Sequence, residues 1–208
     1  MSLLLPSASF APIYQFTLFV NEQEYSIESK EHFIKQSFRN RFEIYSANGK
    51  LSLTVPVKKW SNHTPIDKVE ISHDINWQQL HWRSITSSYS ASPYFEFFED
   101  QIKTALFSKE KNLLHYNLQL ESTVKNLIGI QSAQNLSASY EKSNPDWRKI
   151  IHPKNKLEMQ AVSFPNYMQV FAEKHGFIPN LSILDLLFNI GTESKSYLKQ
   201  INHNQHHG

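Results

Sequence analysis

The stretch Pro179-Asn-Leu-Ser-Ile-Leu-Asp-Leu-Leu-Phe-Asn-Ile-Gly191 carries the strongest secondary-structure signal of the chain. Its apolar residues cover most of the circumference of the helix that their spacing predicts, so this helix is expected to lie largely buried. Asn180 or Ser182 can cap its start, and Gly191 stands where a helix-ending glycine belongs. Such a helix needs other elements packed around it, and the remaining patterns indicate which.

A single polar stripe runs along this predicted helix and consists of Ser182, Asp185 and Asn189. An unpaired buried carboxylate is costly, so Asp185 needs partners. One interpretation places Asp185 and Asn189 in the wall of a pocket. The other makes Ser182 and Asp185 a cap at the start of the helix. Capping accounts for Asp185 but leaves Asn189 unexplained, so both interpretations stay open.

The first third of the chain predicts short strands, and its clearest signal is a hairpin. Residues 41–45 and 51–57 are β-prone runs on either side of the Asn48-Gly49 pair. Pro56 indicates the end of the second strand or an edge position, because proline cannot donate to a ladder. Further short strands are predicted at residues 3–5, 24–27 and 69–71, and a helix or loop at residues 12–20.

Helical spacing dominates the middle of the chain. Helices are predicted through residues 77–85, 93–106 and 111–128, the first capped by Asp74 or Asn76 and the last ended by Gly129.

Residues 132–166, by contrast, are polar and aperiodic and contain three prolines, so a loop is predicted there. A loop of this length inside a compact domain is unusual and often functional.

These patterns together predict an α/β fold. A single domain is expected over residues 1–199, in which a short-stranded sheet with an N-terminal hairpin is packed by several helices. Residues 200–208 are polar and rich in histidine and are expected to form a disordered tail.

The composition bounds the class of function. The chain has 208 residues, 13% of them aromatic, and no cysteine, so disulfides, thiolate catalysis and cysteine-ligated metal sites are excluded. A net charge of +2 gives no support for a nucleic-acid partner. No run approaches the roughly 18 to 20 apolar residues of a membrane span, and the N-terminus lacks a signal-peptide pattern. A cytoplasmic location is therefore expected.

A second group of polar residues precedes the predicted hairpin and comprises His32, Lys35, Arg39, Asn40 and Arg41. Arginine forks suit phosphate or carboxylate, and a nearby histidine can act as general acid or base. This interpretation favours an anionic ligand such as a nucleotide sugar. The alternative is a solvated basic segment or a charge-protected edge strand, and spacing alone favours that alternative.

Three other features are weaker candidates. Lys58 follows the hairpin and either steers an anion or blunts the strand end, and blunting is favoured. His152 lies in the predicted long loop, where a lone histidine is more often a surface residue than a catalyst. The histidines at 203, 206 and 207 are better explained by a disordered tail than by a metal site. The chain has no glycine-rich phosphate loop, G-x-S-x-G or H-E-x-x-H motif, so no metal or cofactor is assigned.

Several strings stand out along the chain: Leu5-Pro6 with Pro12-Ile-Tyr-Gln-Phe16, His32 to Arg41, Leu53-Thr-Val-Pro-Val-Lys-Lys59, and Tyr167-x-Gln169-Val-Phe171 running into Gly176 to Gly191. In this order they resemble the WbqC-like family of bacterial proteins, and the resemblance covers roughly residues 3 to 200. A shorter segment around Asp146 to Lys154, where longer family members carry a glycine-rich insertion, is similar to a compact Bacteroidetes-type branch.

The resemblance implies a transferase associated with O-antigen and surface-polysaccharide biosynthesis. It would move an acyl or aminoacyl group onto a nucleotide-linked amino sugar. Either His32 or His152 would be the base, arginines would hold phosphate, and Asp185 with Asn189 and Asn40 would orient the acceptor. The implied site residues are His32, His152 and Asp185 for catalysis and Lys35, Arg39, Asn40, Arg41, Lys58, Gln169, Asn180 and Asn189 for ligand binding.

The alternative is a non-catalytic ligand-binding or assembly protein of envelope biogenesis. In that case the same polar residues form a buried network that fixes the fold. Convergence of His32, Arg39, Asn40, His152 and Asp185 on one cavity would favour the enzyme, because capping and surface charge do not explain it.

Overall fold

Helices make up most of the regular structure, and the strands are short. The computed structural model describes residues 3–143, 145–155 and 162–201. The strands are β1 (Leu3–Leu5), β2 (Glu24–Ile27), β3 (Arg41–Ser46), β4 (Gly49–Thr54) and β5 (Ala133–Leu136). The helices are α1 (Ile13–Asn21), α2 (Trp77–Tyr89), α3 (Phe95–Leu106), α4 (Leu113–Ile128), α5 (Trp147–Ile150), α6 (Ala172–His175), α7 (Ile183–Ile190) and α8 (Ser194–Gln200).

A three-stranded parallel sheet has the order β1-β2-β5. In its register Leu4 lies opposite Ser26, and Ser26 lies opposite Asn135. Parallel strands need crossover connections, which α1 supplies between β1 and β2, and the hairpin with α2 to α4 supplies between β2 and β5. All three strands therefore end at one edge, and ligands of open parallel sheets bind outside that carboxyl edge.

The predicted hairpin is confirmed as β3 paired antiparallel with β4. Ser46 pairs with Gly49 across a two-residue turn, and the positive φ of 90° at Gly49 suits glycine. The second strand ends at Thr54, short of the predicted residue 57, and Val57 makes only an isolated bridge to Ile71. Residues 69–71 consequently form bridges and no strand.

The buried helix predicted around residue 185 is α7, and its residues from Ile183 to Asn189 are all buried. The Ser182 hydroxyl accepts the Leu184 N–H at 3.3 Å, which confirms that residue as its cap. Helices α1, α2, α3 and α8 and strand β3 surround it. Gly191 has a φ of 58° and packs directly under the Tyr94 ring, where an added Cβ would lie 2.5 Å from a ring carbon.

The prediction of one long loop needs correction. The segment predicted as a loop from residue 132 to 166 contains β5 and α5. The sequence of β5, Ala-Gln-Asn-Leu, lacks alternation because it is a short edge strand with mostly exposed side chains. Helix α8 reaches Gln200, and Ile201 is buried, while the rest of the predicted tail, residues 202–208, lies outside the described residues.

The α/β fold class predicted from the sequence is confirmed, with short strands in small sheets and helices packed around them. Among the described residues, none of the helices is both long and apolar enough to cross a membrane.

Candidate functional site

An open pocket of about 440 Å³ lies where the hairpin meets the loops after α5 and before α7. We call it the His152 pocket. Its walls combine aromatic rings with a few polar and charged groups, an arrangement typical of small-molecule sites, whose volumes run from roughly 300 to 1,000 Å³. Its lining includes Phe38, Glu43, Lys50, His152, Phe177 and Asn180.

His152 presents a defined tautomer at this pocket. Its Nδ1 accepts a hydrogen bond from the backbone N–H of Lys154 at 3.2 Å, so the neutral ring carries its proton on Nε2. The pKa of His152 is lowered, first by burial and then by the positive charges of Arg39 and Lys154. The neutral form of the imidazole is therefore favoured, and its Nε2–H is available as a hydrogen-bond donor.

Asn180 joins the pocket wall to the start of α1. Its φ is 52°, a left-handed conformation that asparagine tolerates better than most residues. Its Oδ1 accepts the N–H of Tyr14 at 2.9 Å, which satisfies one of the orphan donors in the first turn of α1. The asparagine predicted to bind ligand thus also fixes the loop that forms the pocket wall.

Glu43 and Lys50 place an acid and an ammonium side by side in the pocket. They lie diagonally across the hairpin and form an ion pair at 2.9 Å. The Glu43 side chain is largely covered and that of Lys50 is half exposed. Neither was a candidate from the sequence; the available signal was that both occupy the same face of the predicted hairpin, where cross-strand pairs meet.

Asp185 lies in the core with its carboxylate fully satisfied by side chains. Tyr89 donates to Oδ1 at 3.1 Å, while Tyr167 and Gln169 donate to Oδ2 at 2.5 and 2.8 Å. Burial raises the pKa of Asp185 to about 6, against the opposing effect of these three hydrogen bonds. The amide of Asn189 donates to the Asp185 backbone carbonyl at 2.7 Å. The carboxylate thus neither caps α7 nor lies in the pocket lining.

The Asp185 network nevertheless supports the pocket wall. Gln169 accepts the Ile178 N–H at 2.9 Å and donates to the Ile178 carbonyl at 2.9 Å, so it holds that residue from both sides. The Tyr167 ring packs edge-on against Phe177, 5.2 Å away, and Phe177 lines the pocket. Asp185 therefore fixes two segments that shape the His152 pocket without touching the cavity.

A buried charged cluster lies at the carboxyl edge of the parallel sheet. Arg39 binds Glu31 with both arms of its fork, at 3.0 and 2.7 Å, and is itself completely buried. Arg148 lies 3.7 Å from Glu28 and donates to Asp146 at 2.7 Å. We call Glu28, Glu31, Arg39 and Arg148 the carboxyl-edge cluster. It is near the pocket, since the charge of Arg39 acts on His152.

Two predicted residues on the surface lie outside the pocket lining. His32 is exposed, and its ring contacts that of His63 at a centroid distance of 5.2 Å. Lys58 is exposed and pairs with Glu70 at 2.6 Å, a contact that raises the pKa of Lys58.

Three more predicted residues precede or begin the hairpin. Asn40 is buried and donates to the Val55 carbonyl at 2.9 Å, which extends the pairing beyond β4. Arg41 donates to the Thr54 hydroxyl at 3.3 Å, and Lys35 is exposed. Of the eleven predicted residues, the pocket lining thus contains His152 and Asn180, whereas Arg39, Gln169 and Asp185 lie behind it.

A buried polar group that the sequence analysis missed lies between α4 and β2. The hydroxyl of Tyr25 donates to Glu121, and the ammonium of Lys125 donates to the same hydroxyl at 2.8 Å. Burial raises the pKa of Glu121 to about 7, against the hydrogen bond from Tyr25 and the charge of Lys125. The signal was a Glu and a Lys four residues apart on the buried side of a predicted helix. No group of three or more metal-binding side chains occurs among the described residues.

A family model described as the WbqC-like protein family matches residues 9–161 and 151–197. The chain belongs to the WbqC-like protein family. The matched residues include the hairpin, the carboxyl-edge cluster, His152 and the Asp185 network. The chain is also similar to "Uncharacterized protein Rv1507c" of Mycobacterium tuberculosis (strain ATCC 25618 / H37Rv). The two are 27% identical over 214 residues, which cover 88% of this chain and 91% of the relative. No solved structure matches the chain.

Proposed function

We propose that this WbqC-like protein is a transferase that moves an acyl or aminoacyl group onto a nucleotide-linked amino sugar in surface-polysaccharide (O-antigen) biosynthesis. The observation that carries the proposal is the His152 pocket, which places a neutral imidazole, a carboxylate and an ammonium among aromatic rings. The short 146–154 segment supports placing the chain in a compact Bacteroidetes-type branch. A nucleotide-linked acceptor implies that the protein acts in the cytoplasm.

The acceptor is an anionic small molecule, and each part of it has a partner in the pocket. Phe164 and Phe177 offer ring faces to a base or a sugar, and Lys50 offers a point charge to phosphate. Glu43 is the one acidic side chain of the described lining and is suited to the amino group of the sugar. On ligand binding the ion pair between Glu43 and Lys50 thus separates into two ligand contacts.

The chain has no cysteine to carry an acyl thioester, so the transfer is direct or uses another nucleophile, and the direct route is the one proposed. The sugar amine, after giving a proton to Glu43, attacks the carbonyl carbon of an activated acyl or aminoacyl donor. The N–C bond forms, the bond to the leaving group breaks, and a proton passes to that group. His152 donates from Nε2 to the carbonyl oxygen as negative charge develops there. A neutral histidine suits this electrophilic role.

The predicted residues behind the pocket act through other groups. Asp185 and Gln169 are positioning residues for the wall at Phe177, and Asn180 holds the same loop from the other side. Arg39 fixes the chain next to Phe38 through its buried pair with Glu31. The exposed residues among those predicted, His32, Lys35 and Lys58, have no role in this mechanism.

The test uses purified protein with a uridine-diphosphate 4-amino sugar and acetyl-coenzyme A as probes, with the acylated product detected by mass spectrometry. We expect His152→Leu, which removes the Nε2 donor, to lower kcat by about 100-fold, as loss of one oxyanion donor does, with little change in KM. His63→Leu, which alters an exposed histidine, is the matched control and should leave kcat unchanged. Equal rates for wild type and His152→Leu would contradict the role given to His152.

A second candidate is a non-catalytic ligand-binding or assembly protein. The specific observation in its favour is that Arg39 and Asp185 are fully buried and have their partners inside the fold. That function predicts binding of the nucleotide sugar without product, whatever activated donor is supplied.

A further inference from the structure

The side chain of Glu28 joins the parallel sheet to the segment that carries His152. Glu28 directly follows β2 and is completely buried. Its Oε1 accepts the Ser137 hydroxyl, and its Oε2 accepts the backbone N–H of Glu141, both at 2.8 Å. Each oxygen thus accepts a hydrogen bond from a residue that follows β5, and Oε1 also accepts the Lys30 N–H at 2.8 Å. We call residues 137–143 and 145–155 the clasped segment.

Arg148 holds the clasped segment from its other end. Its guanidinium donates to Asp146 at 2.7 Å, lies 4.9 Å from the centroid of the Tyr140 ring, and approaches Glu28 at 3.7 Å. Only 6% of the residue is exposed. One side chain therefore contacts the sheet edge, the start of the clasped segment and the turn before α5.

The chain between Arg148 and the pocket residue His152 is short and contains buried residues. Ile150 and Ile151 are buried, and the His152 N–H donates to the Ile150 carbonyl at 2.9 Å. At the start of α5, the Trp147 ring packs 6.1 Å from that of Tyr14. Because only three residues separate Arg148 from His152 and two of them are buried isoleucines, we expect a shift of α5 to move the imidazole with it.

Burying two acids and two arginines is costly, and apolar residues of similar volume would often stabilise a fold as well. The need to hold a reactive group within a fraction of an ångström explains such a cluster better than fold stability does. The loop it holds ends at His152, and the second pair of the cluster, Arg39 with Glu31, lies close enough to act on that imidazole.

We infer that Glu28 and Arg148 are positioning residues for His152: their contact holds the clasped segment at the carboxyl end of β2 and sets the imidazole at the pocket. The inference rests on the proposed function only for the catalytic role of His152. The clasp itself is observable without any substrate.

The test compares Arg148→Met with Lys149→Met in the full chain. Both remove one positive charge from α5, but Lys149 is exposed and Arg148 is buried. In Arg148→Met we expect faster hydrogen exchange at residues 149–155, including the Lys154 amide that binds His152. We also expect the NMR titration of His152 to move up towards that of an ordinary histidine, because the ring leaves its buried place near Arg39 and Lys154. Lys149→Met should match wild type in both measurements.

Ser137→Ala provides a milder variant that removes only one hydrogen bond to Glu28, and it should shift both measurements in the same direction. A folded Arg148→Met or Ser137→Ala with wild-type exchange at residues 149–155 and an unchanged His152 titration would overturn the inference.

Activity separates this inference from the proposed function. If the wild type acylates the uridine-diphosphate amino sugar, Arg148→Met should lower kcat by about 10- to 100-fold, because misplacement of a catalytic group has effects of that size. Changed exchange and titration in a protein that forms no product would support the clasp and contradict the transferase.

Discussion

The hydroxyl of Tyr167 lies 2.5 Å from the carboxylate of Asp185, and this contact ties the loop before α6 to the most deeply buried helix of the fold. Tyr89 and Gln169 complete the set of donors. Three donors use most of the acceptor capacity of the carboxylate. The network therefore makes the pocket wall sensitive to a side chain that does not line the pocket.

Asp185→Asn should destabilise the protein. An amide nitrogen in place of Oδ2 would face two donors, Tyr167 and Gln169. Tyr167 would lose its acceptor, and Gln169 would keep only the Ile178 carbonyl and the Tyr167 hydroxyl as acceptors. We expect the free energy of unfolding to fall by about 2–3 kcal/mol, as hydrogen bonds to charged groups are worth that much. Urea unfolding would measure it, with Asp100→Asn, an exposed acid on α3, as control. A loss no larger than that of the control would refute the structural role of the carboxylate.

The tautomer of His152 can be observed directly. Long-range nitrogen–proton NMR spectra at pH 7 should show the proton on Nε2, since Nδ1 accepts the Lys154 N–H. The titration midpoint should lie below the ordinary value of about 6.5, because burial and the charges of Arg39 and Lys154 lower this pKa. His152→Gln assigns the signal by its disappearance. A proton on Nδ1 would contradict the role of Nε2 as donor.

Glu43→Gln should remove the preference for a free amine. We expect the wild type to bind a uridine-diphosphate amino sugar more tightly than its N-acetylated form, and the variant to bind both alike, by titration calorimetry. The preference should change by about tenfold, which corresponds to ~1.4 kcal/mol for one charge contact. Glu24→Gln, an exposed acid on β2, is the control. A wild type that binds both sugars equally would refute this use of Glu43.

Glu121 should make stability depend on pH. Because its pKa is raised from 4.5 to about 7, the folded state binds this proton more tightly than the unfolded chain does. The free energy of unfolding should therefore fall as pH rises from about 4.5 to about 7, by at most about 3 kcal/mol, and level off above. Glu121→Gln should lose this part of the pH dependence, whereas Glu22→Gln, an exposed control, should keep it. Parallel stability curves for Glu121→Gln and wild type would contradict the prediction.

Local patterns in the sequence were sufficient to predict the longer helices and the hairpin. The spacing of apolar residues located α2, α3, α4 and α7, and the Asn48-Gly49 pair located the hairpin, because helices and tight turns are stabilised by neighbours in the chain. The same local reasoning missed β5. A short edge strand is held by hydrogen bonds to a distant partner, here β2, and needs no alternation of its own.

For the candidate site, too, local sequence and long-range packing determined different features. The sequence by itself determined that Asp185 sits on a buried helix, that Arg39 belongs to a basic segment and that His152 lies in an irregular region, since burial of a helix face and the absence of period can be read locally. Only the tertiary structure decided the partners: Tyr89 lies 96 residues from Asp185 in the chain, and Ser137 lies 109 residues from Glu28. Such contacts depend on how the elements pack, which periodicity within one element does not encode. For the same reason Glu43 and Lys50, unremarkable on a hairpin face, became pocket residues only when the His152 loop packed against them.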